Sequence, residues 1–253
     1  MSATALQAAH RYIEVGRPER ALEALAGLDS ELAATSDARR RRGYAFLALE
    51  QFDRAADAAA EGLEDDPGSI DLLLLLSIAE EHRGRTSEAE AAILAALDQE
   101  PDHPQLLCQY ADVLMRGGQL DKAEHVLNAA AGSDPEWPDV LYGRQGLAYL
   151  RGDDREARRL SEEILALDPE SVRAHRMLGA FDFNRGRAGS AAERFGEAVR
   201  ADPTTSATPP MRARRGRWPA THCGGRRCSS PASASWEAGS RPWSSSSGSG
   251  PPG

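Results

Sequence analysis

Apolar side chains recur along this chain at three- and four-residue steps, in runs of about a dozen residues separated by short polar breaks. That spacing keeps one stripe of each run buried and predicts amphipathic helices. Residues 70–103 show the pattern in full. Leu73, Leu76 and Ala79 share one face of a first helix, Gly84 ends it, and Ala89, Ile93 and Ala96 line a second helix. Pro101 stops that second helix, because proline lacks the amide donor and turns its predecessor away from helical geometry.

The helix pair returns every 34 residues. Pro67, Pro101, Pro135, Pro169 and Pro203 keep that step, each behind an Asp or Glu. Ala21, Ala55, Ala89, Ala123, Ala157 and Ala191 keep it without a gap, and Gly16, Gly84, Gly118, Gly152 and Gly186 keep it with Glu50 in the missing place. Three locked series divide residues 2–205 into six units: 2–35, 36–69, 70–103, 104–137, 138–171 and 172–205. A period of this length marks a stacked array in which each unit buries its apolar face on the next. An alanine at a fixed helical place lets two helix axes approach closely.

Period and pattern together resemble the tetratricopeptide repeat family, in a multi-repeat array of the bacterial type. The sixth unit carries the resemblance best, through Leu178, Gly179, Gly186, Ala191, Phe195, Ala198 and Pro203, with Asp182 standing where an aromatic is usual. The second unit supplies Gly43, Phe46, Phe52, Ala55, Gly62 and Pro67. The resemblance implies an all-α, right-handed superhelical solenoid of about six helix-turn-helix repeats. Two departures predict irregular packing. Arg39 and Arg42 occupy places normally held by large buried residues, and Gly146, Ala148 and Tyr149 are displaced by one, as though the turn before Gly152 were a residue short. The first unit is weak, lacks the closing proline and reads as an N-terminal cap.

In this family the second, fifth, ninth, twelfth and thirteenth places of each unit point into the concave groove. Carried over, they give Asp37, Arg40, Tyr44 and Leu47 in the second unit, Leu74, Ile78 and His82 in the third, and Cys108, Asp112 and Met115 in the fourth. The sixth contributes Arg173, Arg176 and Phe183. The resemblance then implies a non-catalytic interaction scaffold holding a partner's peptide by hydrophobic anchors and a few acids. For Leu74 and Ile78 the other reading is contact with neighbouring helices only. The family members that clamp a chaperone's terminal carboxylate use paired Lys and Asn. Here Arg40 is followed by Tyr44 and Arg176 by Ala180, so the asparagine half is missing. The run Arg39 to Arg42 offers guanidinium forks for acidic peptides, or else is a solvated helix face.

Charge narrows the partner. Residues 1–205 carry 23 basic against 38 acidic side chains, a net −15, and such a body repels phosphate backbones, so nucleic acid is not the expected partner. The leucine run 72–76 falls far short of the roughly 20 apolar residues of a membrane span, and no signal peptide opens the chain, which leads to the expectation of a cytoplasmic protein. From Ser206 onward 32 of 48 residues are Ser, Pro, Gly or Arg, and Leu, Ile, Val and Phe are absent, so that segment builds no core. It reads as a disordered basic tail, or as out-of-frame translation of G+C-rich DNA whose intact frame would be apolar and add a membrane segment. Because this tail cannot cover the last repeat, fraying of the last helix is expected, and self-association through that repeat is the alternative function.

Chemistry-bearing constellations are scarce. The six histidines form no metal-ligand pair at helical spacing, and His222, Cys223 and Cys228 lack a second ligand pair. The glycines fall at repeat turns, so no phosphate loop is present. The acid pairs Glu80-Glu81, Asp153-Asp154 and Glu162-Glu163 read as solvated faces. Neither catalysis, a cofactor nor a metal is expected.

Overall fold

A computed structural model describes residues 2–133 and 137–202. Among the described residues the chain is all-helical. The first unit forms α1 (Ser2–Glu14) and α2 (Pro18–Ala26), followed by a single turn, α3 (Ser30–Ala33). The later units form regular pairs: α4 (Ser36–Ala48) with α5 (Phe52–Asp65), α6 (Ile70–His82) with α7 (Thr86–Leu97), and α8 (Pro104–Arg116) with α9 (Leu120–Ser133). Two more pairs complete the array, α10 (Pro138–Arg151) with α11 (Asp154–Leu167) and α12 (Val172–Asn184) with α13 (Ala188–Ala201). Each first helix packs on its own second helix, and that second helix packs on the next first helix. The first helices α1, α4, α6, α8 and α10 also touch in succession, forming one row.

The three series seen in sequence have three physical jobs. The alanines from Ala21 to Ala191 are all buried, at 2% exposure or less, where the two helices of a pair cross. The glycines at the turns have φ of 67° to 78°, the left-handed region open to residues without a Cβ. In the second repeat Glu50 holds the same geometry, with φ 57°, where a Cβ crowds the backbone. The acid-proline pairs follow the second helices; Asp66, Asp168 and Asp202 are the C-cap residues of α5, α11 and α13.

The turn at Gly152 is not short. Gly152 N–H donates to Tyr149 O and Asp153 N–H to Ala148 O, the same pattern that Gly84 and Arg85 make to Glu81 and Glu80. The glycine and the start of α11 keep the 34-residue step. The irregularity lies instead in side-chain volume. Place eight, normally small, is Gln145, and place twenty-four, normally large, is Ser161; both are fully buried, and Gln145 Nε2 donates to Ser161 Oγ at 2.8 Å. Volumes are exchanged elsewhere too. A Cβ on Gly43 would collide with Leu75 of the next repeat, and one on Gly143 would collide with Leu127 of the preceding one.

The second departure is absorbed by charge. Arg39 reaches from α4 to α5, where its guanidinium meets Glu61 and Asp65 and donates to the Glu61 carbonyl at 2.9 Å.

The turn geometry predicts opposite effects of two substitutions. Glu50→Gly is expected to raise the unfolding free energy by about 1 kcal/mol by relieving the left-handed strain, and Gly84→Ala to lower it by about as much. Urea midpoints of the two variants, measured at one pH, check this.

Candidate functional site

The predicted groove residues fall into two polar clusters and a set of core positions. The first cluster lies where α4 meets α6. Asp37 accepts from Arg40 Nη2 at 2.7 Å and from Arg41 Nε at 3.1 Å, and Arg40 Nη1 also donates to Asp71 at 2.7 Å. Tyr44 stands beside them, its hydroxyl donating to the Asp71 carbonyl at 3.4 Å. Burial pushes the Asp37 carboxyl up, but hydrogen bonds from Arg40 and Arg41 outweigh it and hold the group below the usual aspartate value. Burial and the neighbouring Asp71 push the Tyr44 hydroxyl well up, so it stays protonated. A depression of about 250 Å³ opens here, lined by Ser36, Asp37, Arg40, Asp66, Ser69, Asp71 and Leu72.

The second cluster joins α8, α10 and α12. Arg173 Nη2 donates to the Tyr142 carbonyl at 3.1 Å, and its guanidinium lies 5.0 Å from the centre of the Tyr142 ring. The Tyr142 and Ser171 hydroxyls share a 2.7 Å hydrogen bond. Burial raises the Asp139 carboxyl despite the Trp137 hydrogen bond and the nearby Arg173. The Cys108 thiol is pushed well up by burial, then by Asp139 and Asp112, which makes it a poor nucleophile. Asp112 is half-buried on the same face of α8 as Cys108.

Other predicted residues are committed to packing. Leu74, Cys108 and Met115 are buried, Leu74 among Ile93, Ala96 and Leu106, and Cys108 and Met115 in the cluster containing Leu114, Leu127 and Val140. They present little surface to a ligand, because the next first helix covers them. Leu47 and Ile78 are partly buried against neighbouring clusters. His82 turns back to α5, where its ring stacks on Phe52 with centroids 4.4 Å apart. Arg176 is half-buried with no ion pair or hydrogen bond among the described residues, and Phe183 is half exposed.

Asp71, Asp139 and Tyr142 occupy groove places and were not singled out from sequence. For Asp139 and Tyr142 the signal was available: the unbroken step of Gly152 and Ala157 fixes the frame of the fifth repeat. One of the three acid pairs also needs correction. Glu80 and Glu81 are both buried, at 6% exposure. Glu80 accepts from Arg83 Nη1 at 2.7 Å, and Arg83 Nε reaches Asp53 of α5 at 2.8 Å. Glu81 accepts from Gln109 Nε2 at 2.9 Å and pairs with Arg116, both on α8. The arginines come from neighbouring turns and helices, so a helical wheel of α6 alone does not reveal them. The run Arg39 to Arg42 is likewise largely paired within the chain. A larger depression of about 520 Å³, lined by residues 50–54, Arg83 and Arg85, lies at the repeat turns, beside the stacked rings of Phe52 and His82. Among the described residues no three His, Cys, Asp or Glu side chains cluster as metal ligands. His222, Cys223, Cys228 and the reading-frame question lie outside the described residues.

Two models of the tetratricopeptide repeat match residues 6–70 and, in two stretches, 46–107 and 94–145. The chain belongs to the tetratricopeptide repeat family. Tetratricopeptide folds serve as protein-interaction scaffolds and are typically non-catalytic. A thermophilic tetratricopeptide-repeat protein of Thermus thermophilus is similar in structure, with a TM-score of 0.61 at 18% identity over 66% of this chain and 92% of that one. PilW, a type IV pilus biogenesis factor, is also similar, with a TM-score of 0.61 at 16% identity over 81% of this chain and 96% of that one. Both likenesses are of fold. No curated protein matches the sequence. No helix among the described residues is long and apolar enough to cross a membrane.

Asp182 provides a pH test of the tetratricopeptide array. It is buried on α12, accepting from Arg158 of α11 at 3.0 Å and from Ser190 of α13 at 2.8 Å. Burial pushes its carboxyl up, but these partners hold it below the ordinary value of 3.8. The depressed group stabilises the fold above the unfolded value, and this contribution disappears as pH falls through the folded value. Asp182→Asn is expected to cost about 2 kcal/mol at pH 7. The urea midpoints of variant and wild type should converge as the solution is acidified below pH 4.

Proposed function

We propose that this tetratricopeptide protein is a scaffold whose row of first helices holds an extended peptide of a partner, with a basic side chain of the peptide seated between the second and third repeats. The depression of about 250 Å³ supports the reading most directly. It contains Asp37 and Arg40, two residues assigned to the groove from sequence, and it sets Asp37, Asp66 and Asp71 against the guanidinium of Arg40, with Arg41 also on Asp37. Arg40 is already bound by two carboxylates, so a carboxylate on the ligand gains little there, while a lysine or arginine finds an excess of acceptors. Tyr44 and Ile78, half-buried on α4 and α6, are the adjacent anchors. The net charge of −15 over residues 1–205 favours the same partner at long range. Self-association through the last repeat is the second reading; its support is Phe183, half exposed on the last first helix among the described residues.

Selection from arrays of random twelve-residue peptides tests the basic-peptide reading. Wild-type protein is expected to enrich Lys or Arg at a fixed spacing from an aliphatic or aromatic residue, and Asp66→Lys with Asp71→Lys to lose that enrichment. Enrichment of acidic peptides, or no enrichment over a scrambled set, would overturn it.

A further inference from the structure

Every interior repeat is completed by the first helix that follows it, and the same places recur at each junction. At place twelve, Glu81 binds Gln109 and Arg116 of α8. Met115 is buried in a cluster that includes Val140 and Leu147 of α10, and the Tyr149 ring lies 6.3 Å from Phe181 of α12. Phe183 holds place twelve in the sixth repeat and is 50% exposed. At place five, Arg40 pairs with Asp71 at place two of the following helix, and Cys108 lies in the field of Asp139 at the same place. Arg176 holds place five in the sixth repeat, half-buried and with no ion pair among the described residues.

What such a face accepts can be read from the helices that fill it elsewhere. Place two of the incoming helix is Asp37, Asp71, Gln105, Asp139 or Arg173, so an acid is the commonest solution. Place three is Ala38, Leu72, Leu106, Val140 or Ala174, each essentially inaccessible. Place ten is Ala45, Ala79, Val113, Leu147 or Phe181, all buried. The common pattern is an acid in the first turn, a small or aliphatic residue directly after it, and an apolar residue two turns on.

We propose that the end face built by α12 and α13 is a docking surface for an amphipathic helix of a partner protein with this pattern, its first-turn acid pairing with Arg176 and its apolar stripe covering Phe183. Charge and composition select the occupant. In a second copy of the chain, the first helix with no described unit before it is α1, and α1 has no acid in its first turn. Residues 206–253 contain one acid, Glu237, and no Leu, Ile, Val or Phe. Neither supplies the acid-aliphatic start. This surface is separate from the basic-peptide site between the second and third repeats, and either holds without the other.

The probe is a fluorescein-labelled peptide of residues 137–152, which carries the pattern through Asp139, Val140 and Leu147, held helical by a hydrocarbon staple on its polar face. Fluorescence anisotropy with the full chain is expected to show saturable binding that Arg176→Glu weakens roughly tenfold. A probe carrying Asp139→Lys should recover that loss on Arg176→Glu and bind wild type poorly. Phe183→Ser should weaken both pairs, and circular dichroism should show both protein variants folded. Asp66→Lys with Asp71→Lys, which disables the basic-peptide site, should leave the probe's affinity unchanged. Absence of binding, or binding indifferent to Arg176→Glu, overturns the proposal. A concentration-dependent dimer in light scattering that Phe183→Ser abolishes also overturns it, by assigning the face to a second copy.

Discussion

How closely two helices of a pair can approach is set by what lies between them, and in this array that is an alanine methyl repeated every 34 residues. A larger side chain would push the axes apart and shift every helix stacked beyond. With the spacing fixed, the turn must reverse the chain over a few residues, which calls for left-handed backbone at the glycines. With both fixed, each unit meets the next in the same orientation, and nearest-neighbour packing then carries the architecture from α1 to α13.

Within that frame, buried acids do a job usually done by apolar residues. Asp182 ties α11, α12 and α13 together, while Glu81 joins α6 to α8. Such pairs gain little net energy over well-packed apolar side chains, because removing charge from water is costly. Their geometry is more demanding. A carboxylate buried at one junction tolerates only a neighbour that brings its donor to the right place, so these contacts favour one stacking register over its near alternatives.

The period, the helix pairs and the turn residues were legible in the sequence because each depends on local chemistry: a missing Cβ, a missing amide proton, an apolar stripe. Glu50 was visible as the one break in the glycine series, and the structure keeps the left-handed turn there. What lay beyond a one-dimensional reading was pairing between units. Glu81 looks like part of a solvated face until Gln109 and Arg116 of the next repeat are brought to it. Arg40 looks available for a ligand until Asp71 arrives from the next helix. Of the groove places, Tyr44 and Arg173 keep polar atoms at the inner row, whereas Leu74, Cys108 and Met115 sink beneath the following helix. Gly146, Ala148 and Tyr149 misled for a related reason: Gln145 takes the small place beside Gly146 and is accommodated in space by Ser161, which a sequence shows only as a one-residue slip.

The exchanged volumes at the repeat junctions bear on how such a gene can change. Leu75 fills the space that Gly43 leaves, and Gly143 makes the space that Leu127 fills. Placing the third unit directly after the fourth would set Leu75 against Leu127, and placing the fifth directly after the second would leave Gly43 facing Gly143 across a void. The units look interchangeable when aligned, yet at these two junctions the side-chain volumes match only in the existing order. Recombination at the 34-residue period, the easiest event for a repetitive gene, would therefore be penalised in the folded product, and the order of the repeats is preserved by shape.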